Sequence, residues 1–85
     1  PRAATAYFEL ASLFYQQKNY NKAIAYFSKT QFRLLTPEQQ NTGHFRWAYS
    51  LFSQKKLSEA LDQFNFVKAQ GGNYGPAGSY YAGYI

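Results

Sequence analysis

Few residues in this chain of 85 could do acid–base or nucleophilic chemistry. It contains one histidine, His44, no cysteine, and four carboxylates, Glu9, Glu38, Glu59 and Asp62. Glu59 and Asp62 could share one face of a helix, but two neighbouring acids on a helix surface are normally solvated. A zinc site needs several ligands, and no second histidine accompanies His44. The sequence therefore predicts a protein without enzymatic activity, with no catalytic residue, no metal site and no cofactor.

The composition excludes two further classes of protein. Hydrophobic residues make up 46% of the chain and aromatic residues 21%, including 9 Tyr and 8 Phe, so disorder is excluded. No apolar run approaches the roughly 18 residues that a membrane-spanning helix needs. The length suits a single core, so we expect one domain over residues 1–85.

Apolar residues recur with helical spacing along the chain. Tyr7, Leu10, Ala11 and Phe14 occupy the i, i+3, i+4 and i+7 positions of one helical face. Similar stripes follow, separated by breakers such as the glycine-rich cluster at 70–76. The pattern predicts an all-α chain of about five helices, over about 4–17, 21–31, 37–54, 57–69 and 76–85.

The start of the third helix has a signal of its own. Thr36 can cap this helix, Pro37 suits its first position, and Gln39 completes a capping box. This helix is therefore predicted to begin about one turn before the second copy of a sequence repeat that is described in the next paragraph. The early start accommodates the three residues by which the linker before the second copy is longer than the repeat pattern requires. Gly43, inside this helix, is expected to be a mild cost to its stability.

Two segments of the chain repeat each other, and a third repeats their beginning. Each copy places a bulky residue before a small one, with an apolar residue three positions later. The small residues Ala11, Ala48 and Ala82 are spaced by 37 and 34 residues. The matching positions are Tyr7, Leu10, Ala11, Phe14, Ala23 and Phe27 in the first copy, His44, Trp47, Ala48, Leu51, Ala60 and Phe64 in the second, and Gly78, Tyr81, Ala82 and Ile85 in the third.

This arrangement resembles the tetratricopeptide repeat family, which has a bulky residue, a Leu followed by a small residue, and then an aromatic at matching intervals. The resemblance implies antiparallel helical hairpins stacked into a right-handed solenoid. It divides the domain into a repeat over about 4–36, a repeat over about 37–73 and a half repeat over about 74–85. The small alanines are expected where the helices approach closely.

In that family, the first helix of each repeat lines a concave groove that receives an extended peptide or a partner helix. An open groove with many rings is unfavourable unless something covers it, although a wider core would also explain the rings. Arg46 lies mid-helix and is expected to bind a carboxylate or backbone carbonyl of a partner. The resemblance turns these residues towards the groove: Phe8, Ser12 and Tyr15 from the first helix, Phe45, Arg46, Tyr49 and Phe52 from the third, and Ser79 and Tyr80 from the fifth.

The net charge of +5 leaves a second class of partner to consider. Most basic residues lie near expected helix ends, where a cation complements the helix dipole. Lys18, Lys55 and Lys56 are also expected on one edge of the solenoid. One alternative is therefore an RNA or single-stranded nucleic-acid binder that uses basic edges and exposed rings. Another alternative is self-association through the fifth helix, which lacks the partner helix that would complete the third repeat.

The copies are also similar to bacterial cell-envelope members of the family, such as periplasmic assembly factors, notably at 45–52 and 80–85. The compartment is otherwise left open, with the cytoplasm as the alternative to the periplasm. Taken together, these patterns predict an interaction scaffold that holds a protein or peptide partner, in preference to nucleic acid, in an aromatic-rich groove.

Overall fold

Five α-helices and two short 3₁₀ helices follow one another along the chain, which the computed structural model describes from residue 2 to residue 85, with side chains from residue 5. No strand occurs within these residues, so the all-α prediction is confirmed. The helices are α1 (Arg2–Gln16), α2 (Tyr20–Lys29), α3 (Pro37–Ser53), α4 (Leu57–Gln70) and α5 (Gly75–Tyr84), and the 3₁₀ helices are Phe32–Leu34 and Gly72–Tyr74.

The helices pack as a row of hairpins. α1 packs against α2, and α3 packs against α4, through linkers too short to allow anything but an antiparallel return. The second helix of the first hairpin also packs against α3, and α4 packs against α5. Because α1 also contacts α3, the first helices of the two hairpins are neighbours and can share one surface.

The core has one cluster of buried residues for each hairpin. Ala11, Ala23, Ala48 and Ala60 have no exposed surface, as expected for residues at close helix contacts. The aromatic residues that close the two repeats, Phe27 and Phe64, are also 0% exposed. The side chain of Trp47 packs against both clusters and so joins them.

The predicted capping box is present at the start of α3. The backbone N–H of Gln39 donates to the Thr36 hydroxyl, and the backbone N–H of Thr36 donates to the Gln39 side chain, both at 3.1 Å. Pro37 stands at the first helical position, where its missing N–H is not needed. Local chemistry therefore sets this helix start.

The end of α2 differs from the expectation. This helix ends at Lys29, two residues earlier than predicted, because Thr30 adopts an extended conformation with ψ of 130°. The Thr30 hydroxyl donates to the Tyr26 carbonyl at 2.9 Å, so side chain and backbone together end the helix. The following linker contains a 3₁₀ helix and ends at buried Leu35, whose carbonyl accepts a hydrogen bond from the Gln40 side chain.

Gly43 has a packing role that the sequence did not reveal. A Cβ added at this position would lie 2.5 Å from the Phe32 ring and 3.2 Å from the Phe8 ring. The bare backbone therefore leaves room for Phe32, whose ring stacks at 4.0 Å on His44 and at 5.7 Å on Trp47. The glycine therefore has a packing role besides its expected cost to the helix, since it permits this contact between elements.

The first helix of each hairpin ends in the same backbone geometry. Lys18 and Lys55 follow α1 and α3 with φ of 62° and 63°, in the left-handed region. The N–H of the residue after each lysine donates to a carbonyl five residues earlier, at 2.8 and 2.9 Å. This is the Schellman motif, in which glycine is usual because a Cβ is unfavourable at positive φ.

We expect Lys55→Gly to raise the free energy of unfolding by about 0.5–1 kcal/mol, the left-handed penalty less the extra chain entropy of glycine. The measurement is a urea titration followed by far-UV circular dichroism. Lys55→Ala is the control, because it removes the same side chain but keeps the Cβ that is unfavourable at φ of 63°. Equal effects of the two changes would contradict the prediction.

Four charges near helix ends follow the helix dipole, whereas α1 and α3 have no basic residue in their last turns, contrary to the expectation for Lys18, Lys55 and Lys56. Glu38 and Glu59 lie in the first turns of α3 and α4, and Lys29 and Lys68 lie in the last turns of α2 and α4. Within residues 2–85, no helix combines the length and the apolar character required to cross a membrane.

Candidate functional site

Aromatic rings from α1, α3 and α5 form a continuous cluster. The Tyr15 ring lies 6.0 Å from Tyr49, and Tyr49 lies 6.4 Å from Phe52 and 6.0 Å from Tyr81. Phe52 and Phe45 also approach Tyr81, at 5.5 and 6.3 Å. Several of these contacts are edge to face, which is a favourable geometry for aromatic pairs. All five side chains are half-buried, so each ring packs on one side and remains partly accessible on the other.

Two further tyrosines join this cluster from outside the first helices. Tyr20, the first residue of α2, lies 6.0 Å from Tyr15 and 5.9 Å from Tyr49. Tyr74, in the 3₁₀ helix before α5, stacks on Phe45 at 4.9 Å. The sequence reasoning missed both, because the family pattern assigns only first helices to the groove. We call the seven residues together the ring cluster: Tyr15, Tyr20, Phe45, Tyr49, Phe52, Tyr74 and Tyr81.

Arg46 lies at the edge of the ring cluster. Its guanidinium carbon is 5.6 Å from the centre of the Tyr15 ring, a cation–π distance. Burial, together with the nearby Tyr20, raises the pKa of the Tyr15 phenol, so this hydroxyl stays protonated at neutral pH. Within the described part of the chain, Arg46 forms no ion pair with a carboxylate. The guanidinium is therefore held in place by a ring while its charge is not neutralised.

The remaining predicted groove residues fall into different environments. Ser12 is only 8% exposed, and its hydroxyl is buried without a hydrogen-bond partner, so it is not accessible to a ligand. Phe8 is half-buried, and Ser79 is exposed. Tyr80 is 66% exposed and contacts Tyr81 at 5.1 Å, at the open end of the ring cluster. The structure thus brings together five of the predicted residues and leaves these four at the margins.

A pocket of about 270 Å³ lies between α1, the start of α3 and the second 3₁₀ helix. Sequence reasoning missed it, because its residues come from two helices and from the linker at 73–74, which the repeat pattern does not bring together. The pocket adjoins the predicted groove through Phe8 and the ring cluster through Tyr74. Its lining residues are Phe8, Glu38, Gln39, Asn41, Thr42, Asn73 and Tyr74.

His44 is a packing residue, as its place in the repeat indicates. Its ring lies 4.0 Å from Phe32 and 4.0 Å from Phe66, and its Nδ1 pairs with the Gln63 side-chain oxygen at 2.6 Å. Burial lowers the pKa of His44, and the hydrogen bond to Gln63 acts in the opposite direction. Among the described residues, no cluster of three or more histidine and carboxylate side chains could hold a metal.

The lowered pKa of His44 predicts a loss of stability in acid. Since the unfolded chain takes up this proton near pH 6.5, stability is complete above that pH and falls as the pH drops towards the lower folded-state pKa. Urea midpoints measured between pH 7.5 and 5 check this. His44→Phe keeps a ring between its aromatic neighbours and should flatten the dependence. An unchanged pH profile in this variant would assign the loss to other groups.

The lysines that suggested a nucleic-acid edge are exposed, and two others lie over rings. Lys18, Lys55 and Lys56 are all exposed at the ends of α1 and α3. On the first hairpin, Lys22 lies 5.3 Å over Phe14, and Lys29 lies 5.4 Å over the Tyr26 ring. These two ammonium groups therefore already have aromatic partners.

Comparison with known families gives a match to a repeat family. A sequence model of the family described as "Tetratricopeptide repeat" matches residues 6–29 and 43–66, which together make up more than half of the chain. Each matched stretch spans most of one hairpin, the first in α1 and α2 and the second in α3 and α4. Comparisons with curated proteins and with solved structures gave no match, and the likeness to bacterial cell-envelope proteins stays a prediction.

Proposed function

The chain belongs to the tetratricopeptide repeat family, and from this premise we propose that its ring cluster binds an apolar segment of a partner protein. Tetratricopeptide repeats generally mediate protein–protein interactions and form a non-enzymatic class of repeat. The partner segment would be an extended peptide or a helix, laid across α1, α3 and α5. The chain would act as a scaffold that presents this surface.

The observation that carries the proposal is the half-buried state of the ring cluster. Rings such as Tyr49 touch neighbours from three other helices, so their positions are set before any partner arrives. A preset surface loses little side-chain freedom on binding, which favours affinity. Tyrosine also combines an apolar ring with a polar hydroxyl, and it is enriched at protein interfaces.

Arg46 would fix the register of the bound segment. Its guanidinium lies over Tyr15 and can donate to a carboxylate or to backbone carbonyls of the partner. A charge held at one side of an apolar surface distinguishes one alignment of the partner from another. The rings would supply the contact area, and Arg46 would supply the direction.

Amide NMR titration of the labelled domain tests the proposal. Pooled extended and helical peptides are added at two salt concentrations, and a mixed single-stranded oligonucleotide is added in a parallel series. We expect the peptides to shift amides around Tyr15, Arg46 and Tyr49 at both salt concentrations. Arg46→Gln should weaken the best peptide about tenfold, in line with a charged hydrogen bond, whereas Lys29→Gln, in the last turn of α2 and over Tyr26, should change nothing.

The oligonucleotide series can contradict the proposal that the ring cluster binds peptides. If only the oligonucleotide shifts amides, near Lys18, Lys55 and Lys56 and only at low salt, the basic edge is the binding site. The ring cluster would then be a structural extension of the core. No shift in either series would also reject the ring cluster as a binding surface for these segments.

Self-association is a second candidate, favoured by the exposed rings of α5. Tyr80 and Tyr84 are 66% and 69% exposed and stack at 6.4 Å, and Ile85 is 38% exposed. Sedimentation velocity at increasing concentration would show a dimer if α5 pairs with a second copy. Tyr84→Glu should then restore the monomer. A monomer at every concentration would reject this candidate.

A further inference from the structure

The pocket beside Phe8 is lined by one carboxylate, three carboxamides, one threonine and two aromatic rings. Each polar side chain has an oxygen that can accept a hydrogen bond, although the Gln39 oxygen already accepts one from the backbone N–H of Thr36 at 3.1 Å. Its single charge is the carboxylate of Glu38, and no lysine or arginine contributes to the lining. The chain as a whole has a net charge of +5, whereas the lining of this pocket carries one negative charge.

Two rings complete the lining. Phe8 and Tyr74 stand among the polar groups, and the Tyr74 ring is fixed by stacking on Phe45 at 4.9 Å. The pocket therefore combines aromatic surface with a negative charge and with amide and hydroxyl oxygens.

We propose that this pocket binds the guanidinium of an arginine in the partner segment. A guanidinium is planar, carries five N–H donors and no acceptor, and stacks on aromatic rings, so it suits the Glu38 carboxylate, the oxygens near it and the two rings. The ammonium of lysine would match the charge but has neither the plane nor the number of donors. A phosphate group would meet the Glu38 carboxylate with no cation in the lining to bind it.

The proposal rests on the proposed function, because Phe8 and Tyr74 connect the pocket to the groove and the ring cluster. A segment laid across α1 and α3 would place an acidic or carbonyl group at Arg46 and an arginine at Glu38. Arg46 would therefore contact an acidic or carbonyl group of the partner, and Glu38 would contact a basic group of the same segment. The partner inferred is thus an apolar segment that carries an arginine.

Three short blocked peptides test the pocket by NMR: acetyl-Gly-Arg-Gly-amide, the same peptide with Lys, and the same peptide with citrulline, which keeps the planar shape without the charge. We expect the Arg peptide to give saturable shifts at Thr42, Asn73 and Tyr74. The Lys peptide should bind at least about fivefold more weakly, and citrulline should give no saturable shift.

A matched pair of variants identifies the carboxylate. Glu38→Gln should weaken the Arg peptide about tenfold. Glu59→Gln is the control, because Glu59 occupies the first turn of α4 as Glu38 does that of α3, but does not line the pocket. Equal losses in both variants, or equal binding of the Arg and Lys peptides, would overturn the proposal and indicate unspecific charge attraction.

An apolar peptide without arginine separates this inference from the proposed function. If it shifts Tyr49 and Phe52 amides while the Arg peptide shifts nothing, the pocket proposal fails and the ring cluster stands. If the Arg peptide fills the pocket while no peptide reaches Tyr49 or Phe52, the pocket stands as an arginine site and the ring-cluster function fails.

Discussion

Phe64→Ala is expected to lower the free energy of unfolding by about 3–5 kcal/mol, the cost of emptying a fully buried phenylalanine site. The side chain has no exposed surface, and its ring contacts Tyr81 at 4.9 Å, Phe45 at 6.0 Å and Phe52 at 6.4 Å. These three rings belong to the ring cluster, so the cavity would open directly beneath it. A urea titration followed by far-UV circular dichroism measures the loss.

The same substitution should also weaken the binding of apolar peptides, because the rings above the cavity lose their support. Leu57→Ala is the stability control, since Leu57 lies in the same helix but is 44% exposed. We expect it to cost less than about 1 kcal/mol. A loss at Phe64 no larger than at Leu57 would mean that α4 is not packed as described.

Gly43→Ala is expected to lower the free energy of unfolding by about 1–3 kcal/mol, although alanine is the better helix former by about 1 kcal/mol. The added Cβ would lie 2.5 Å from the Phe32 ring. That ring is confined by stacking on His44 and Trp47, so it cannot simply rotate away. Steric conflict therefore outweighs helix propensity here, and urea titration measures the balance.

Gly83→Ala is expected to change the free energy of unfolding in the opposite direction. A Cβ added to this glycine of α5 would meet no neighbouring atom within 4 Å, so helix propensity alone should act and raise the free energy of unfolding by up to about 1 kcal/mol.

Phe32→Leu combined with Gly43→Ala should recover part of the stability lost in Gly43→Ala, because the smaller side chain leaves room for the added methyl group. Stabilisation by Gly43→Ala alone would show that Phe32 moves freely.

Features set by neighbouring residues could be predicted from the sequence. The capping box of Thr36 and Gln39 placed the start of α3 correctly, because all of its partners lie within one turn. The alanines at the repeat positions are buried as expected, since a spacing that recurs within the chain identifies the face that packs. The family assignment followed from the same spacing.

Features set by distant residues could not be predicted. Gly43 looked unfavourable, because nothing in the local sequence tells that Phe32 packs against it. The left-handed conformation of Lys18 and Lys55 was not foreseen either, as glycine is the usual residue at that position. The hairpin geometry overrides the side-chain preference at both lysines.

The candidate site was predictable in outline only. The repeat pattern indicated that first-helix residues such as Tyr49 share a surface, and these rings do lie together. It did not supply Tyr20 and Tyr74, which reach the cluster from α2 and from a linker. Whether a side chain stays open or joins the core depends on its neighbours across the hairpins, and this is why Ser12 is more buried than the pattern implied.

The position of Trp47 has a consequence for how the molecule comes apart. This residue is the one tryptophan of the chain, and it packs against the core clusters of both hairpins. In a nearest-neighbour description of repeat proteins, stability is divided between each repeat and the interfaces that couple them. The contacts of Trp47 contribute to the interface energy that couples the two hairpins, so neither hairpin can unfold without changing the surroundings of this indole. Its fluorescence and the helical signal should therefore change at the same urea concentration, as in a single cooperative unit.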